Sequence, residues 1–405
     1  MTGALRKIAN RFMDEAARPE VRALNRSVTA FQVCGYTGLI LAMVLAASLS
    51  SYRGLSLIVM LALVAISMGM FLALVMATKI LTGEEQIIYY HHEIAVMAAA
   101  GVSLWLLHEP VLPYLDLTIL GIGLFLVCGR IGCFMVGCCH GRPHSWGVCY
   151  RQEHADAGFT HYYVGVRLFP VQIIESLWVF FVVLVGIALV LRESPAGTAL
   201  AWYIVAYDLG RFTFEFFRGD DARPYTLGFS QPQWLSAILL AGVTVAEFVG
   251  ILPLQLWHIV AAIALAFVMI SISIKRRVQR SADFQLLHPR HVRELAEMID
   301  QIIPPPAGVP NWRWTVSANP GPAQREIRVG CTSLGIRVSA SGVLSAREPF
   351  EHFAISKTDA EMNDETARSL ARTIVQLRRG GAPIEVIRGG TGVFHLLVRQ
   401  AAQDV

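Results

Sequence analysis

Charged residues are scarce in this 405-residue chain: Lys, Arg, Asp and Glu make up 16% of it, against 54% for apolar residues. In soluble globular domains about a quarter of the residues are charged, so this composition excludes an ordinary soluble protein. The mean hydropathy of +0.50 instead indicates a membrane protein. The basic residues are scattered and the formal net charge is only +4, which excludes a nucleic-acid-binding surface.

Two further features are missing. Residues 1–27 contain no short apolar core followed by a small-residue cleavage site, so we expect no signal peptide and a first apolar helix that stays in the protein. The chain has seven cysteines, five of them between Cys128 and Cys149. This clustering in and beside an apolar segment is too local for the disulfide framework of a secreted protein, so we expect free thiols.

Long apolar segments are what the chain has in abundance. A helix that spans a bilayer needs about 20 mostly apolar residues, and eight segments qualify: 28–49, 54–81, 87–107, 116–137, 170–191, 197–217, 232–250 and 254–274. Only Pro253 and its neighbours divide the last two. We therefore predict an all-α polytopic membrane bundle of seven to eight transmembrane helices.

The composition changes at both ends of this bundle. Residues 1–27 are a basic amphipathic arm, predicted to lie on the membrane surface or to be solvated, since Leu5, Ile8, Phe12 and Ala16 share one side of a helix. Residues 28–275 form the membrane domain, with a polar cap at 138–169. Residues 281–405 predict a small soluble α+β domain of unknown role. Its apolar runs are 312–316, 326–329, 335–338, 352–355, 384–386 and 393–398, framed by helices at 292–303 and 364–379.

Ionisable groups inside the apolar segments are the first functional signal, because each is costly in a bilayer and should face a cavity or a partner. They are His91, His92 and Glu93 in the third segment, Glu175 in the fifth, where the polar Gln172 shares its helix face, and Tyr207, Arg211, Glu215 and Arg218 in the sixth. The last four share one helix face by their spacing. The forked donors of arginine suit phosphate oxygens, so arginines meeting in a bundle predict a site for a phosphate-bearing lipid.

The sequence resembles prolipoprotein diacylglyceryl transferases at four places, in the same order. Gly129-Arg130-Ile-Gly132-Cys-Phe-Met-Val-Gly137-Cys-Cys-His-Gly141-Arg142 resembles the signature loop of that family. Phe169-Pro170-Val-Gln172-Ile-Ile-Glu175, Arg211-Phe-x-x-Glu215-Phe-Phe-Arg218 and Gln233-Trp234-Leu235-Ser236 resemble its later motifs. The resemblance implies a multi-pass transferase of the bacterial inner membrane. It would pass the diacylglyceryl group of phosphatidylglycerol to the lipobox cysteine thiol of a prolipoprotein, release glycerol 1-phosphate and need no cofactor.

The resemblance also assigns residues. It implies that His91, Arg130 and Arg211 are catalytic, with His91 helping to deprotonate the acceptor thiol. It implies a lipid-binding set of Gly129, Arg130, Gly132, Gly137, Gly141, Arg142, Gln172, Glu175, Tyr207, Arg211, Glu215 and Arg218. Arg130 and Arg211 would hold the departing phosphate, on which negative charge builds up in the transition state. No metal ligand is expected.

Because the sequence departs from the family pattern at several positions, the identity of the acceptor stays open. Cys133 replaces an asparagine of the signature, Cys138-Cys139-His140 replaces a Glu-Leu-aromatic stretch, and glycines are missing after His91. Cys133, Cys138 and Cys139 are therefore candidate acceptor or intermediate thiols, activated beside Arg142 and His140.

Three other functions stay open: a phospholipid-dependent enzyme with a non-lipoprotein acceptor, an inactive lipid-binding relative, and a membrane protein that binds Zn²⁺. The candidate zinc ligands are Cys128, Cys133, Cys138, Cys139, His140 and Cys149, although their spacing lacks the two close cysteine pairs of most zinc sites.

The membrane face of the signature loop also stays open. Loops on one side hold Lys79, Arg142, Arg151, Arg167, Arg218, Arg223 and 275–277, while those on the other hold Arg53 and Arg192. The positive-inside rule would put the first group in the cytoplasm, whereas the family resemblance implies chemistry on the outer face.

Overall fold

The computed structural model describes residues 3–23, 26–83, 89–220, 224–278, 285–302, 328–344, 349–358, 360–378 and 384–399. Helices dominate this part of the chain, and a sheet-containing region follows them. Five of the described helices are long and apolar enough to cross a membrane. They are Ala30–Tyr52, Leu57–Thr82, Val111–Val136, Val171–Leu191 and Leu256–Arg276.

The chain begins with helix α1 (Gly3–Ala16) and a hairpin of strands β1 (Glu20–Ala23) and β2 (Arg26–Thr29). Thr29 then starts helix α2 (Ala30–Tyr52), because its hydroxyl accepts a hydrogen bond from the Gln32 N–H at 3.3 Å. Helices α3 (Leu57–Thr82), α4 (Tyr89–Leu106) and α5 (Val111–Val136) follow. These coincide with the first four predicted apolar segments.

A polar cap separates the two halves of the bundle. It contains strand β3 (Pro143–Cys149), the short helix α6 (Gln152–Asp156), one 3₁₀ turn (His161–Tyr163) and strand β4 (Arg167–Leu168), which pairs with β3. The cap is thus folded.

The second half of the bundle consists of helices α7 (Val171–Leu191), α8 (Thr198–Phe214), α9 (Gln231–Phe248) and α10 (Leu256–Val278). A hairpin of β5 (Tyr225–Thr226) and β6 (Phe229–Ser230) precedes α9. Asp116 of α5 fixes the start of α8, because its carboxylate accepts hydrogen bonds from the N–H groups of Gly197 and Leu200 at 2.8 and 2.7 Å. An anion at a helix N-terminus is stabilising.

Helix α5 lies at the centre of the bundle, where it contacts α2, α4, α7 and α8. Glycines let its neighbours approach closely. A Cβ at Gly132 would lie 3.1 Å from the Cβ of Cys34 on α2, and a Cβ at Gly123 would lie 2.5 Å from the Tyr203 ring on α8. The last two turns of α5, which carry Arg130 and Cys133, are therefore held by helices on several sides.

The C-terminal region contains helices Pro289–Ile302 and Asp364–Leu377 and a five-stranded antiparallel sheet. The strands are β7 (Arg328–Cys331), β8 (Ile336–Leu344), β9 (Pro349–Lys357), β10 (Ile384–Arg388) and β11 (Phe394–Arg399), in the spatial order β10-β11-β9-β8-β7. This confirms the sheet-containing region. The predicted run 312–316, residues 326 and 327, and the predicted helix ends 303 and 379 lie outside the described residues.

The cap, α1 and the C-terminal region share one buried apolar cluster. It includes Met13 of α1, Val148 and Tyr163 of the cap, and Leu295 and Ile374 of the C-terminal helices. These three parts of the chain consequently lie on the same side of the bundle.

Polar contacts fix α1 on the cap. The Asp14 carboxylate accepts hydrogen bonds from the Arg167 guanidinium at 3.0 and 2.8 Å and from the Cys149 N–H at 2.7 Å. The side of α1 that was predicted to be apolar does not pack on the cap, because Leu5, Ile8 and Phe12 are exposed.

Candidate functional site

The signature loop begins where α5 ends. Gly137 adopts the left-handed conformation with φ 88°, and its N–H donates to the Cys133 carbonyl at 2.9 Å. A Cβ at this position would also lie 2.7 Å from the Phe159 ring of the cap. Gly137 therefore turns the chain back toward the last turn of α5.

Backbone hydrogen bonds bring three of the four motifs together. The Arg142 N–H donates to the Phe217 carbonyl at 3.0 Å, and the Gly219 N–H donates to the His140 carbonyl at 3.0 Å. The Gly141 N–H donates to the Phe169 carbonyl at 3.2 Å. A Cβ at Gly141 would overlap that carbonyl oxygen, so only glycine permits this approach. The loop after α5, the start of α7 and the end of α8 form one frame.

Three arginines of this frame are buried, and each pairs with a carboxylate. Nη2 of Arg130 lies 2.9 Å from Oε1 of Glu175, and Nη1 of Arg211 lies 2.9 Å from Oε2 of Glu215. Arg218 donates two hydrogen bonds to Asp220, at 2.8 and 3.0 Å. Exposed fractions of 6%, 5% and 2% for the three arginines place them inside the protein. The carboxylates keep the guanidinium groups charged and fix their orientation.

Several buried polar atoms of the frame lack a hydrogen-bond partner within the described part of the chain. They include Nε of Arg130, Nη1 of Arg218 and Oε1 of Gln172. Buried polar groups are nearly always satisfied, so unpaired ones in a native structure need an explanation. A bound ligand with anionic oxygens would satisfy the two arginine donors.

Gln172 also holds the signature loop. Its side-chain N–H donates to the Cys138 carbonyl at 2.9 Å, while the Tyr150 hydroxyl donates to the Phe134 carbonyl at 2.9 Å. The loop is therefore positioned by α7 and by the cap at the same time.

A cleft of about 220 Å³ opens beside Arg211, between α4, α5, α8 and α9. Its polar lining is Tyr90, Glu93, Tyr203, Tyr207, Asp208, Arg211 and Ser236, and its other lining side chains are apolar, among them Met97, Ile119 and Leu239. Helix α4 begins, α8 ends and α9 begins near the cap, so the polar groups concentrate at the cap end. A cleft with one charged end and apolar walls suits an amphipathic ligand.

The family model of prolipoprotein diacylglyceryl transferases matches residues 19–249, more than half of the chain. The chain belongs to this family. The resemblance inferred from four short motifs is confirmed by this match over the whole membrane bundle up to α9. The motifs brought together by the backbone hydrogen bonds all lie within the matched residues.

Relatives in several bacterial genera carry the same family name. A phosphatidylglycerol–prolipoprotein diacylglyceryl transferase 2 of Clostridium perfringens is 31% identical over 148 residues, which cover 36% of this chain and 55% of the relative. The transferase of Clostridium tetani is 32% identical over 112 residues, covering 27% and 43%. The transferase of Dehalococcoides mccartyi strain 195 is 28% identical over 168 residues, covering 40% and 60%. The chain spans about half the length of the curated relatives it matches.

His91, the predicted catalytic histidine of this family member, lies on the exposed side of α4 with its ring 4.6 Å from that of Tyr90. The neighbouring His92 is buried against Phe71, with ring centroids 4.7 Å apart. Within the described residues Glu93, rather than His91, lines the cleft with Arg211. The catalytic role of His91 stays a prediction.

The predicted glycines have unequal surroundings in this family member. Gly129 has open space where a Cβ would lie, whereas Gly132 contacts α2, Gly137 contacts Phe159 and Gly141 contacts Phe169. The last three shape the loop through contacts inside the protein. Their contact with a lipid headgroup stays a prediction.

The three cysteines that depart from the family signature lie together. The Sγ atoms of Cys133, Cys138 and Cys139 are all within 4.8 Å of one another. Cys128 and Cys149 do not belong to this group, and all seven cysteines of the chain are free thiols. Of the five cysteines that are close together in the sequence, three therefore form a cluster in the structure.

His140 follows these cysteines, is buried, and packs its ring 5.0 Å from that of Tyr163. Burial lowers the pKa of His140 below its ordinary value, against the opposing effect of a 2.9 Å contact between Nδ1 and the Gly141 carbonyl. Burial therefore favours the neutral imidazole.

The sequence interpretation missed several residues of the candidate site. They are Asp208 and Ser236 of the cleft and Asp220, the partner of Arg218. Glu93, which was expected to face a cavity or a partner, lines the cleft. Asp208 could have been found from the sequence, because it is a carboxylate inside an apolar segment and next to Tyr207. Asp220 gave no comparable signal, since it lies in a loop where acidic residues are common.

Proposed function

We propose that this protein transfers a diacylglyceryl group from phosphatidylglycerol to an acceptor thiol, the lipobox cysteine of a prolipoprotein, and releases glycerol 1-phosphate. The observation that supports it best is the juxtaposition of three buried arginines with the amphipathic cleft that begins at Arg211. Family membership and the names of the relatives support the same donor and acceptor.

The reaction makes a bond between the acceptor sulfur and the glyceryl carbon next to the phosphate. The bond from that carbon to the phosphate oxygen breaks, and its electron pair leaves with glycerol 1-phosphate. Negative charge therefore grows on the phosphate during the reaction. Arg130 and Arg211 stabilise this charge, and the unpaired N–H groups of Arg130 and Arg218 are available donors.

The carboxylate partners add preorganisation. Because Glu175 and Glu215 already orient Arg130 and Arg211, no rearrangement of the arginines is needed when charge develops, which is the condition for strong electrostatic stabilisation. Gln172 holds the loop, Arg142 donates to the Arg218 carbonyl at 3.1 Å, and Tyr207 lines the cleft. In this proposal these groups position the headgroup, while the apolar walls of the cleft receive part of the acyl chains.

We further propose that eight helices, α2 to α5 and α7 to α10, cross the bacterial inner membrane. The shared cluster of α1, the cap and the C-terminal region supports an even number of crossings between these parts. Four helices precede the cap and four follow it. The same proposal divides the chain into the arm 1–27, the transferase domain 28–275 and the domain 281–405.

Purified protein in detergent, given phosphatidylglycerol with radiolabelled acyl chains and a synthetic lipobox peptide, tests this function. We expect label on the peptide thiol and release of glycerol 1-phosphate. Arg130→Ala and Arg211→Ala should each lower the rate about a hundredfold or more, whereas Arg11→Ala, in the exposed part of α1, should leave it unchanged.

Two results would contradict the proposal. Label that appears only in a small lipid product would indicate a non-protein acceptor. A protein that binds the lipid without consuming it would be an inactive relative.

A further inference from the structure

The three clustered cysteines lie beside the phosphate-binding frame. Cys133 belongs to the last turn of α5, one turn after Arg130, and Cys138 and Cys139 follow the reversal at Gly137. Their sulfur atoms lie within 4.8 Å of one another, and Cys139 is close enough to Arg130 and Arg218 for electrostatic interaction with both. The proposed lipid chemistry assigns no role to this arrangement.

We propose that Cys133, Cys138 and Cys139 bind Zn²⁺ through their thiolates and leave its fourth coordination position to the acceptor thiol. The zinc site itself stands on the geometry of the three cysteines. Its role in activating the acceptor rests on the proposed transferase function.

The geometry fits tetrahedral zinc. Zinc–thiolate bonds of about 2.3 Å place neighbouring sulfurs about 3.8 Å apart, and the observed limit of 4.8 Å allows this with small side-chain adjustments. The frame is fixed, because Cys133 sits on the central helix and Gln172 holds the Cys138 carbonyl at 2.9 Å. The spacing rule applied to the sequence disfavoured zinc, since it cannot anticipate the reversal at Gly137.

The charges also fit. Three thiolates and one Zn²⁺ carry a net charge of −1, and a fourth thiolate makes it −2. Arg130 and Arg218 are buried beside Cys139. The positive charges of the two guanidinium groups lower the cost of burying the negatively charged sulfurs.

The number of ligands indicates an open site. Cys133 is a buried residue, Cys139 is half-buried and Cys138 is exposed, and the three supply three of the four ligands of a tetrahedral zinc ion. Zinc sites with three protein ligands and one open position are the catalytic kind, and sites closed by four ligands are structural. In this proposal a thiol from another molecule takes the open position.

Zinc in this position would prepare the nucleophile. On coordination the acceptor thiol releases its proton to water, because a metal-bound thiol is deprotonated outright. The sulfur then attacks the glyceryl carbon, the carbon–oxygen bond breaks, and its electron pair goes to the phosphate oxygen held by the arginines. This route needs no histidine base near the arginines, in keeping with the exposed position of His91.

The same chemistry argues against these cysteines as intermediate acceptors. A diacylglyceryl group on sulfur is a thioether, and its carbon–sulfur bond would have to break again for the group to move on. A thiolate is a poorer leaving group here than the phosphate ester it replaced. Metal ligation uses all three cysteines without forming this stable product.

Metal analysis of the full-length protein in detergent tests the site without any activity assay. After chelator treatment and dialysis against zinc sulfate, we expect one zinc per chain and an X-ray absorption spectrum with a shell of three sulfurs. Cys133→Ser, Cys138→Ser and Cys139→Ser should each lose the bound zinc. Cys149→Ser and Cys331→Ser, outside the cluster, should keep it.

Measurement on the wild-type protein keeps this test decisive even if a serine variant unfolds. A wild-type chain without sulfur-bound zinc, a disulfide between two of the three cysteines, or a site that retains only copper would each overturn the proposal.

The pH dependence of the transferase rate tests the role of the metal. With zinc, the rate should change little between pH 7 and 8.5, because the acceptor is already a thiolate. After zinc removal it should rise about tenfold per pH unit toward the ordinary thiol pKa of about 8.5, and added zinc should restore the flat profile. A rate and profile that zinc removal leaves unchanged would overturn this inference and leave the transferase function intact. Bound zinc without phospholipid turnover would contradict the transferase function and leave the metal site intact.

Discussion

The guanidinium of Arg130 on α5 lies 2.9 Å from the carboxylate of Glu175 on α7, and their side chains are 7% and 0% exposed. This pair joins the signature loop to the second family motif inside the bundle. It also fixes the donor groups that the proposed reaction needs. Removing the charge of one of these two residues leaves the charge of the other buried without a partner.

Replacement of one partner should therefore be costly. Glu175→Gln or Arg130→Met should lower the free energy of unfolding by about 3–5 kcal/mol, because each leaves an uncompensated buried group. The double variant Arg130→Met, Glu175→Leu should be more stable than either single variant, although inactive. Thermal unfolding in detergent measures this order, and a double variant as unstable as the sum of the two singles would contradict it.

The cleft should set the preference for acyl chains. Leu239→Trp places a larger ring in the cleft of about 220 Å³, so the rate with long-chain phosphatidylglycerol should fall more than the rate with short-chain lipid. The matched control is Ile238→Trp, one residue away on α9 but exposed, which should change neither rate. Equal losses for both chain lengths would show that the cleft does not hold acyl chains.

Acid should weaken the cap through His154. Burial lowers the pKa of His154, the charge of Glu153 opposes this effect, and the charge of Arg151 lowers the pKa further. Nδ1 of His154 accepts a hydrogen bond from the Arg151 N–H at 3.2 Å. Because the folded-state pKa lies below the unfolded value of about 6.5, stability is complete above pH 6.5 and is lost as the pH falls toward the folded-state pKa.

The unfolding temperature in detergent should thus be lower at pH 5.5 than at pH 7.5. His154→Gln should reduce this difference, whereas His144→Gln, an exposed position in the same cap, should preserve it. Burial lowers the pKa of His140 and His291 as well, so part of the difference should survive in the His154 variant.

Topology provides a separate test. Since α1 and the C-terminal region both contact the cap, reporters fused to the two ends of the full chain should give the same membrane face. An outer face agrees with a prolipoprotein acceptor. A cytoplasmic face for both ends would contradict that acceptor, and opposite faces would contradict the eight crossings.

The sequence predicted the bundle well, because long apolar segments are strong local signals. All eight predicted segments correspond to described helices, with boundaries shifted by a few residues. The charge asymmetry of the loops was a weaker guide. Arg142, Arg167 and Arg218 contributed to it, yet each donates hydrogen bonds inside the protein. The positions of these arginines therefore reflect local structure as much as membrane topology.

The candidate site was predictable where family motifs marked it and obscure where distant contacts decided it. The motif pattern identified Arg130, Glu175 and Arg211, and the structure pairs the first two. No local pattern could show that α1 docks through Asp14, or that Cys133 meets Cys138 and Cys139 across a helix end. Such contacts depend on which way the chain turns, and one glycine decides that for the cysteines.

The buried cluster shared by α1, the cap and the C-terminal helices constrains the order of biogenesis. Val148 and Tyr163 emerge before the second half of the bundle, but Leu295 and Ile374, with which they share the cluster, are made only after α10. Part of the apolar surface of the cap therefore stays uncovered until translation is nearly complete. A nascent chain halted after α10 should accordingly bind chaperones at its cap, although its membrane helices are already inserted.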